Sequence, residues 1–265
     1  MLPQDKAYSK LRFLLRYLEY RMKAVKASGL HSPFLFELYS AVISRRGPDP
    51  ELRRLDALRH DLRKAKRTIL YTPMGAHSGQ QVHLKIGEIA RGSGKSLAMV
   101  HLLYHLSGFL RPKTIIELGT SLGISTSYLA AGAGNATVVT MEGCPATAIE
   151  AKKHFQDAGL NHIQQIAGDF DKVFPGLLEN HHPVDLLFLD GNHTREATLR
   201  YFTASLPHIQ PSSVIIIDDI HWSPGMESAW EAIKHHPDVT VTVDLFHLGL
   251  VFFRKESSRE NFVLK

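Results

Sequence analysis

The stretch from Thr114 to Ser125 reads TIIELGTSLGIS and decides the fold. Thr114 to Glu117 have strand character, Gly119 provides a turn, and a helix of small residues starts at about Ile124. A second glycine, Gly123, lets the backbone pass close to a neighbouring group. A strand, a glycine turn and a helix N-terminus in this order predict a nucleotide-binding corner in a doubly wound α/β sheet.

Downstream of this corner the chain alternates between strand and helix patterns. Strands are predicted at 114–119, 137–142, 163–168, 184–190 and 213–219. Helices are predicted between them, at about 123–132, 145–158, 171–180 and 195–206. Crossovers of this length join parallel strands of one sheet that is covered on both faces. After a helix at about 225–235, the runs Val239–Leu245 and Leu248–Arg254 predict an antiparallel hairpin.

The first 95 residues predict helices. Residues 5–28 carry leucines at helical spacing, and a second helix begins with Ser32 as N-cap and Pro33 in its first turn. A third, basic helix is expected at about 50–67, after a break at 47–50, and residues 71–83 predict a loop. Two further helices are expected, at 85–90 and 97–109.

Composition and charge limit the class of protein. The chain has 265 residues and a single cysteine, Cys144, which excludes an internal disulfide framework and fits a reducing cytosol. The longest apolar stretch, residues 96–110, is too short to span a bilayer, so we expect a soluble cytoplasmic protein. Residues 1–70 hold 16 Lys and Arg against 7 Asp and Glu. This basic arm suits an anionic partner such as RNA or a membrane surface, but solvated helix faces explain the same charge.

Two acids follow predicted strands in the first half of the sheet. Glu142 closes the stretch TVVTME and lies 25 residues after Glu117. An acid at the end of the second strand of such a sheet accepts hydrogen bonds from ribose hydroxyls, although an exposed strand-end acid has the same pattern. Asp169 follows the third strand directly after a glycine, where an acid is an ordinary helix N-cap.

Three further acids end the two most apolar strands. Asp190 closes VDLLFLD, and Asp218 and Asp219 close SVIIIDD. Ligands of such sheets bind at the carboxyl edge of the strands, where these acids are expected. Buried acids need a cation, a donor or a proton. Three converging carboxylates predict an oxygen-ligated divalent ion or, in its absence, a site that orients a substrate by hydrogen bonds.

These motifs resemble those of class I S-adenosylmethionine-dependent methyltransferases. The pattern ELGT-x-x-G-x-S at 117–125 is most similar to that of the catechol and caffeoyl-CoA O-methyltransferase type. It differs from the Gly-x-Gly-x-x-Gly spacing of dinucleotide-binding enzymes. The resemblance covers about residues 110–255 and implies a Rossmann-like sheet of five parallel strands plus a C-terminal antiparallel hairpin. We therefore expect an N-terminal helical region at 1–95 and a methyltransferase domain at 96–265.

The resemblance also implies a site, in which Asp169 contacts the nucleobase of the cofactor as an alternative to capping the helix. Residues expected to bind S-adenosylmethionine are Glu117, Gly119, Thr120, Ser121, Gly123, Ser125, Glu142, Gly143, Asp169, Phe170 and Asp190. Asp190, Asp218 and Asp219 match the positions that hold a divalent cation, expected to be Mg, Mn or Ca. The group carries a lysine base three residues after the first of these acids, whereas this chain has His193 there. The catalytic candidates are therefore His193, Asp190, Asp218 and His221.

The implied function is methyl transfer from S-adenosylmethionine to the hydroxyl of a small molecule. A homodimer formed through the helices of residues 1–67 is a further expectation. Two alternatives stay open at this point: an RNA methyltransferase or RNA-binding protein that uses the basic arm, and a fold that binds the cofactor without catalysis. Gly92-Ser93-Gly94-Lys95-Ser96 looks like a phosphate loop, but the required upstream glycine is Ile89, so a turn that caps the next helix is expected.

Overall fold

The computed structural model describes residues 2–45, 49–73, 80–92 and 95–265. It shows a mixed α/β fold with a large, mostly parallel sheet, which confirms the predicted fold class. The described residues divide into two compact units. One contains residues 2–31 and 174–265, and we call it the terminal unit. The other lies between Ser32 and Val173, and we call it the central unit.

The helices and strands follow the chain in this order. The helices are α1 (Lys10–Lys23), α2 (Pro33–Leu38), α3 (Pro50–Lys64), α4 (Ile86–Gly92), α5 (Leu97–Leu110), α6 (Ile124–Ala133), α7 (Pro145–Asp157), α8 (Phe170–Asn180), α9 (Arg195–Ser205) and α10 (Pro224–Lys234). The strands are β1 (Thr68–Tyr71), β2 (Val82–Lys85), β3 (Thr114–Leu118), β4 (Thr137–Glu142), β5 (Gln164–Ala167), β6 (Leu186–Leu189), β7 (Val214–Asp218), β8 (Val241–Asp244), β9 (Leu248–Phe252) and β10 (Glu260–Val263).

In the central unit, β4 pairs in parallel with β3 on one side and β5 on the other. The register places Glu117 opposite Thr140, so an acid and a hydroxyl meet inside the sheet. Helices α5 and α6 pack so closely that only glycine fits at position 132 of α6. A Cβ atom there would lie 2.2 Å from the carbonyl oxygen of Tyr104 in α5. This packing fixes the helix that follows the glycine turn.

In the terminal unit, β6 and β7 are parallel, and β9 runs antiparallel to β7. The predicted hairpin is confirmed, since β8 and β9 pair antiparallel with Asp244 opposite Gly249. Strand β10 adds to β8 in parallel and was not predicted. Two of its four residues are exposed and two are half-buried, so their sequence lacks the apolar run that marks the buried strands.

The first predicted helix, 5–28, is shorter in the structure. Helix α1 ends at Lys23, because Val25 takes an extended conformation and bridges to Leu264. The backbone N–H of Val25 donates to the carbonyl of Val263 at 2.9 Å. Pairing with a distant strand therefore overrides the local helical pattern, a competition that helical spacing alone does not reveal.

The predicted loop at 71–83 is also partly wrong. Its two ends belong to β1 and β2, which form a two-stranded antiparallel sheet, and residues 74–79 lie outside the described part. The strands are short and mostly exposed, so they carry little apolar alternation. Gly47 and Pro48 of the predicted break, and Ser93 and Gly94 of the glycine-rich turn, likewise lie outside the described residues. The predicted cap is confirmed at Ser96, whose hydroxyl accepts from the N–H of Met99.

Candidate functional site

The glycine corner lies in the central unit between β3 and α6. Gly119 has φ 110° and Gly123 has φ 76°, conformations that favour glycine. The N–H groups of Gly119 and Thr120 donate to the carbonyl of Met141 at 3.0 and 2.9 Å, which ties the turn to β4. A side chain on Gly123 would meet the ring of Phe155 at 2.4 Å, so the group that the backbone approaches is this ring of α7.

Glu117 is fully buried under this turn. One of its carboxylate oxygens, Oε2, accepts from the hydroxyls of Thr126 and Thr140, the latter at 2.7 Å. Burial raises the pKa of Glu117, and the threonine hydroxyls oppose that rise. Its other oxygen, Oε1, makes no hydrogen bond to any described residue. A buried carboxylate oxygen of this kind can accept from a donor that a ligand supplies.

Lys95 is a residue of this corner that the sequence reasoning missed. It is buried, and its positive charge works against the rise in the pKa of Glu117. In the sequence, Lys95 stands out only as part of the phosphate-loop-like stretch Gly92–Ser96. A lysine directly before a helix N-cap is a weak signal, and its closeness to Glu117 arises only in the fold.

Glu142 ends β4 and is also buried. Its Oε2 accepts from the N–H of Ser121 at 2.6 Å, and its Oε1 accepts from the N–H of Cys144 at 2.8 Å. Burial raises the pKa of Glu142, and these backbone donors oppose the rise. The Thr147 hydroxyl and the Gly143 N–H also lower this pKa, so the acid is held in place at the end of β4. This arrangement fits a pair of ribose hydroxyls.

Tyr71 of β1 is a second residue that sequence reasoning did not single out. Burial and the nearby Glu142 carboxylate raise the pKa of its phenol. The strand is held there because the N–H of Thr72 donates to the Cys144 sulfur at 3.3 Å. The hairpin of β1 and β2 therefore contributes an aromatic side chain near the ribose-type acid.

The remaining predicted cofactor residues lie in or beside the same turns. Thr120 and Ser125 are buried, Ser121 is half-buried, and Gly143 follows Glu142 directly. Asp169 is exposed, and its Oδ1 accepts from the N–H of Asp171 at 2.9 Å at the start of α8, where Phe170 is the first residue. The geometry of Asp169 is that of a helix cap, and its predicted contact with a nucleobase stays a prediction.

A second cluster of chemical groups lies in the terminal unit, where β6 and β7 end. One ligand atom each from Asp190, His193 and Asp218 lies within 4.8 Å of the others. The His193 Nε2 is 4.0 Å from the Asp190 Oδ1, and the Trp222 ring lies 6.1 Å from the imidazole. Atoms that share one divalent ion lie no more than about 4–5 Å apart, so the spacing fits a cation.

Asp219 is not part of this cluster. It has φ 54°, and its N–H donates to the carbonyl of His247 at 2.6 Å. Its carboxylate lies 3.9 Å from the His247 Nδ1. The structure therefore brings two of the three predicted cation ligands together with His193, and a ligand role for Asp219 stays a prediction.

His221 belongs to a different network of the terminal unit. Its Nε2 lies 2.8 Å from the Asp244 Oδ2, and its Nδ1 lies 3.0 Å from the Glu227 Oε1. Burial would lower the pKa of this imidazole, but the two carboxylates outweigh it and raise the pKa to about 9. Both ring nitrogens are occupied and the ring is protonated at neutral pH. This geometry favours a structural role over the predicted catalytic one.

The network around His221 extends to the N-terminal segment. The Tyr8 hydroxyl donates to the Glu227 Oε2 at 2.7 Å, and Arg16 reaches the same oxygen at 3.2 Å. The Phe246 ring stacks on the imidazole with 5.2 Å between centroids. Despite burial, these partners lower the pKa of Glu227, so this carboxylate stays charged.

The part of the chain that contains the glycine corner is similar to a known family of proteins. Residues 116–220 match the family model described as a methyltransferase domain. The resemblance to class I methyltransferases that the motifs predict is thereby confirmed. The matched segment runs from β3 to just beyond β7.

Two catechol O-methyltransferases are each similar to a little under half of the chain. The one from Mycobacterium tuberculosis is 31% identical over 117 residues, which cover 43% of this chain and 51% of that protein. The one from Niastella koreensis is 32% identical over 118 residues, which cover 43% and 52%. The matched region thus spans about half the length of these curated relatives.

The fold is similar to that of solved methyltransferases over more of the chain. An O-methyltransferase from Bacillus cereus, in complex with SAH, aligns with a TM-score of 0.55 and 20% identity. The alignment covers 79% of this chain and 94% of that one. At this identity the likeness establishes the fold. Among the described residues, no helix is long and apolar enough to cross a membrane.

Proposed function

We propose that this protein is a methyltransferase that transfers the methyl group of S-adenosylmethionine to a hydroxyl of a small molecule. The observation that carries the proposal is the Glu142 carboxylate at the end of β4. It is buried, and the N–H groups of Ser121 and Cys144 hold its two oxygens in place. A fixed acid in this place suits the two hydroxyls of a ribose.

The central unit supplies the residues that would hold the cofactor. Glu142 would accept from the ribose hydroxyls, and the turn from Gly119 to Gly123 would carry the methionine part past the N-terminus of α6. The Glu117 Oε1 offers a buried acceptor, and an ammonium group beside it would favour the charged form of this carboxyl. The cofactor contributes an already activated methyl group, so the protein has to position the reactants and remove a proton.

The terminal unit supplies the groups for the acceptor. Asp190 and Asp218 would hold a hard divalent cation through carboxylate oxygens, and His193 would take the proton of the acceptor hydroxyl. A cation at this position would lower the pKa of a hydroxyl bound to it. A neutral imidazole has an ordinary pKa of about 6.5 and can accept the proton near neutral pH.

The acceptor class follows from the relatives as a proposal. Two relatives that are each similar to 43% of this chain are catechol O-methyltransferases. We therefore propose an acceptor with neighbouring hydroxyl groups on an aromatic ring, since two adjacent oxygens can share one cation. The homodimer and an RNA acceptor stay predictions.

Cofactor binding is tested by calorimetry with S-adenosylhomocysteine. The variant Glu142→Ala should weaken binding by about 1–3 kcal/mol, the range for hydrogen bonds to a charged group. Glu196→Ala is the matched control, because this acid is 80% exposed at its side chain and lies in α9. Equal affinity of the Glu142 variant and the wild type would remove the ribose assignment.

Methyl transfer is tested with a panel of catechols, single phenols and sugars. The rate is measured in chelator and again after magnesium, manganese or calcium is restored. Full activity in chelator would show that no cation is needed and would leave His193 as the acting group. No transfer to any member of the panel, with tight cofactor binding, would favour the non-catalytic alternative. Co-purified nucleic acid whose binding weakens steeply with salt would favour an RNA acceptor.

A further inference from the structure

One face of α1 leaves a continuous apolar surface in solvent. Leu11 is 68% exposed, Leu14 and Leu15 about half, Leu18 49% and Met22 80%. The opposite face of the same helix packs on the protein, because Phe13, Tyr20 and the partly exposed Tyr17 contact the ring of Phe246. We propose that the exposed face of α1 docks on the surface of an anionic phospholipid bilayer.

The spacing of these residues makes a single stripe. They recur at intervals of three, four, seven and eleven residues from Leu11, which places them on one side of a helix. The 14 residues of α1 span about 21 Å. Large apolar side chains scattered singly over a surface are normal, whereas a contiguous stripe marks an interaction site. A helix of this length lies along a bilayer and does not cross it.

The charges around the stripe identify its partner. Helix α1 contains Lys10, Arg12, Arg16, Arg21 and Lys23 and a single acid, Glu19. Within the described part of the chain, Lys10, Arg21 and Lys23 form no salt bridge, and all three are exposed. At 100° per residue, Lys10 and Arg21 border one side of the stripe. Glu19 and Arg12 border the other side, and Lys23 lies just beyond them. Apolar side chains flanked by cations are typical of helices in the interfacial region of anionic membranes.

A second copy of the chain fits this face less well. Two α1 helices placed face to face would bring their basic side chains together in either orientation. The one acid that could offset them, Glu19, already pairs with Arg16 at 2.8 Å. Nucleic acid would match the charge but would not cover five apolar side chains.

The test is co-sedimentation of the full chain with vesicles. One set contains phosphatidylcholine alone, and the other contains phosphatidylcholine with phosphatidylglycerol at a ratio of about three to one. The wild type should bind the anionic vesicles at least tenfold more strongly than the neutral ones, and salt should weaken this binding. Equal binding to both sets, or binding to neither, would overturn the proposal.

Two variants separate the apolar and the charged contributions. Leu14→Ser with Leu18→Ser should weaken binding to anionic vesicles at least tenfold, since both leucines enter the acyl boundary. Lys10→Glu with Arg21→Glu should weaken it to a similar extent. Ile149→Ser is the matched control, because Ile149 is 59% exposed on α7 and should leave binding unchanged. Melting curves check that each variant is folded, and unchanged binding of both double variants would overturn the proposal.

Analytical ultracentrifugation without lipid tests whether a second copy of the chain covers this face instead. The wild type should sediment as the same species as the Leu14→Ser, Leu18→Ser variant. A wild-type dimer that this variant dissociates would assign the face to a second copy and overturn the membrane proposal.

Discussion

The terminal unit contains two histidine–carboxylate clusters that are chemically similar and structurally opposite. His221 uses both ring nitrogens within 3.0 Å of a carboxylate, and an aromatic ring stacks on it. His193 has one carboxylate oxygen at 4.0 Å, and no hydrogen bond to a described residue fixes its ring. Both nitrogens of the His221 ring have carboxylate partners. The nitrogens of the His193 ring make no hydrogen bond to a described residue, so they can contact a ligand.

This difference separates stability from chemistry. Each ring nitrogen of His221 faces a carboxylate, and its pKa of about 9 keeps the ring protonated near neutral pH. A ring that is already protonated cannot accept a further proton. A ring with free accepting capacity beside two aspartates can act as a base. We therefore expect changes at His193 to affect the reaction and changes at His221 to affect folding.

The largest effect is expected for His193→Ala. Loss of a general base lowers a rate by about 10²–10⁴-fold, so the rate of methyl transfer to catechol should fall within that range. The free energy of unfolding should stay within about 0.5 kcal/mol of the wild-type value, because the ring has no fixed hydrogen bond to lose. An unchanged rate would exclude His193 as the base and weaken the contrast between the two clusters.

His221→Ala should act on stability. It leaves Asp244 and Glu227 without their shared cation in a mostly buried place, and breaking such a pair costs about 3–5 kcal/mol. Urea denaturation measures the loss, and cofactor affinity serves as the functional control. A stable variant that lacks activity would reverse our assignment of the two histidines.

The pH dependence of stability gives a third, smaller effect. The pKa of His221 rises from 6.5 to about 9 in the folded protein, so the folded state holds this proton more tightly than the unfolded chain. The associated stability is complete below pH 6.5 and is lost as the pH rises through about 9. The shift corresponds to about 3 kcal/mol. Denaturation curves from pH 6 to 10 should show this fall in the wild type, and a fall of the same size in His221→Ala would rule out its origin in His221.

The smallest effect is expected for Tyr8→Phe. It removes the hydroxyl that donates to Glu227 but keeps the ring on which Arg12 packs at 4.6 Å. The free energy of unfolding should fall by about 1 kcal/mol, the usual contribution of a hydrogen bond. Tyr17→Phe is the control, since Tyr17 contributes an aromatic contact to Phe246. Equal losses in both variants would show that the Tyr8 hydroxyl adds nothing specific to the His221 network.

The sequence predicts the glycine corner better than the cluster around His193, for a physical reason. Glu117, Gly119 and Gly123 act through a turn whose geometry is set by neighbours in the chain, so their spacing carries the information. His193 and His221 both follow strand-end aspartates, and local sequence ranks them together. Their roles differ because Asp244 and Tyr8, far away in sequence, reach one of them and not the other. Strand β10 was missed for a related reason, since an exposed strand is specified by its pairing partner.

The bridge between Val25 and Leu264 has a consequence for biosynthesis. The Tyr20 hydroxyl donates to the carbonyl of Leu264, a residue 244 positions later. The described residues of the central unit lie between Ser32 and Val173, so this unit can fold once that segment has left the ribosome. The terminal unit needs β10 before α1 can settle, and long closures of this kind are slow. We expect α1, which is synthesised before both units are complete, to be among the last elements to reach its final place, with its leucines exposed to chaperones meanwhile.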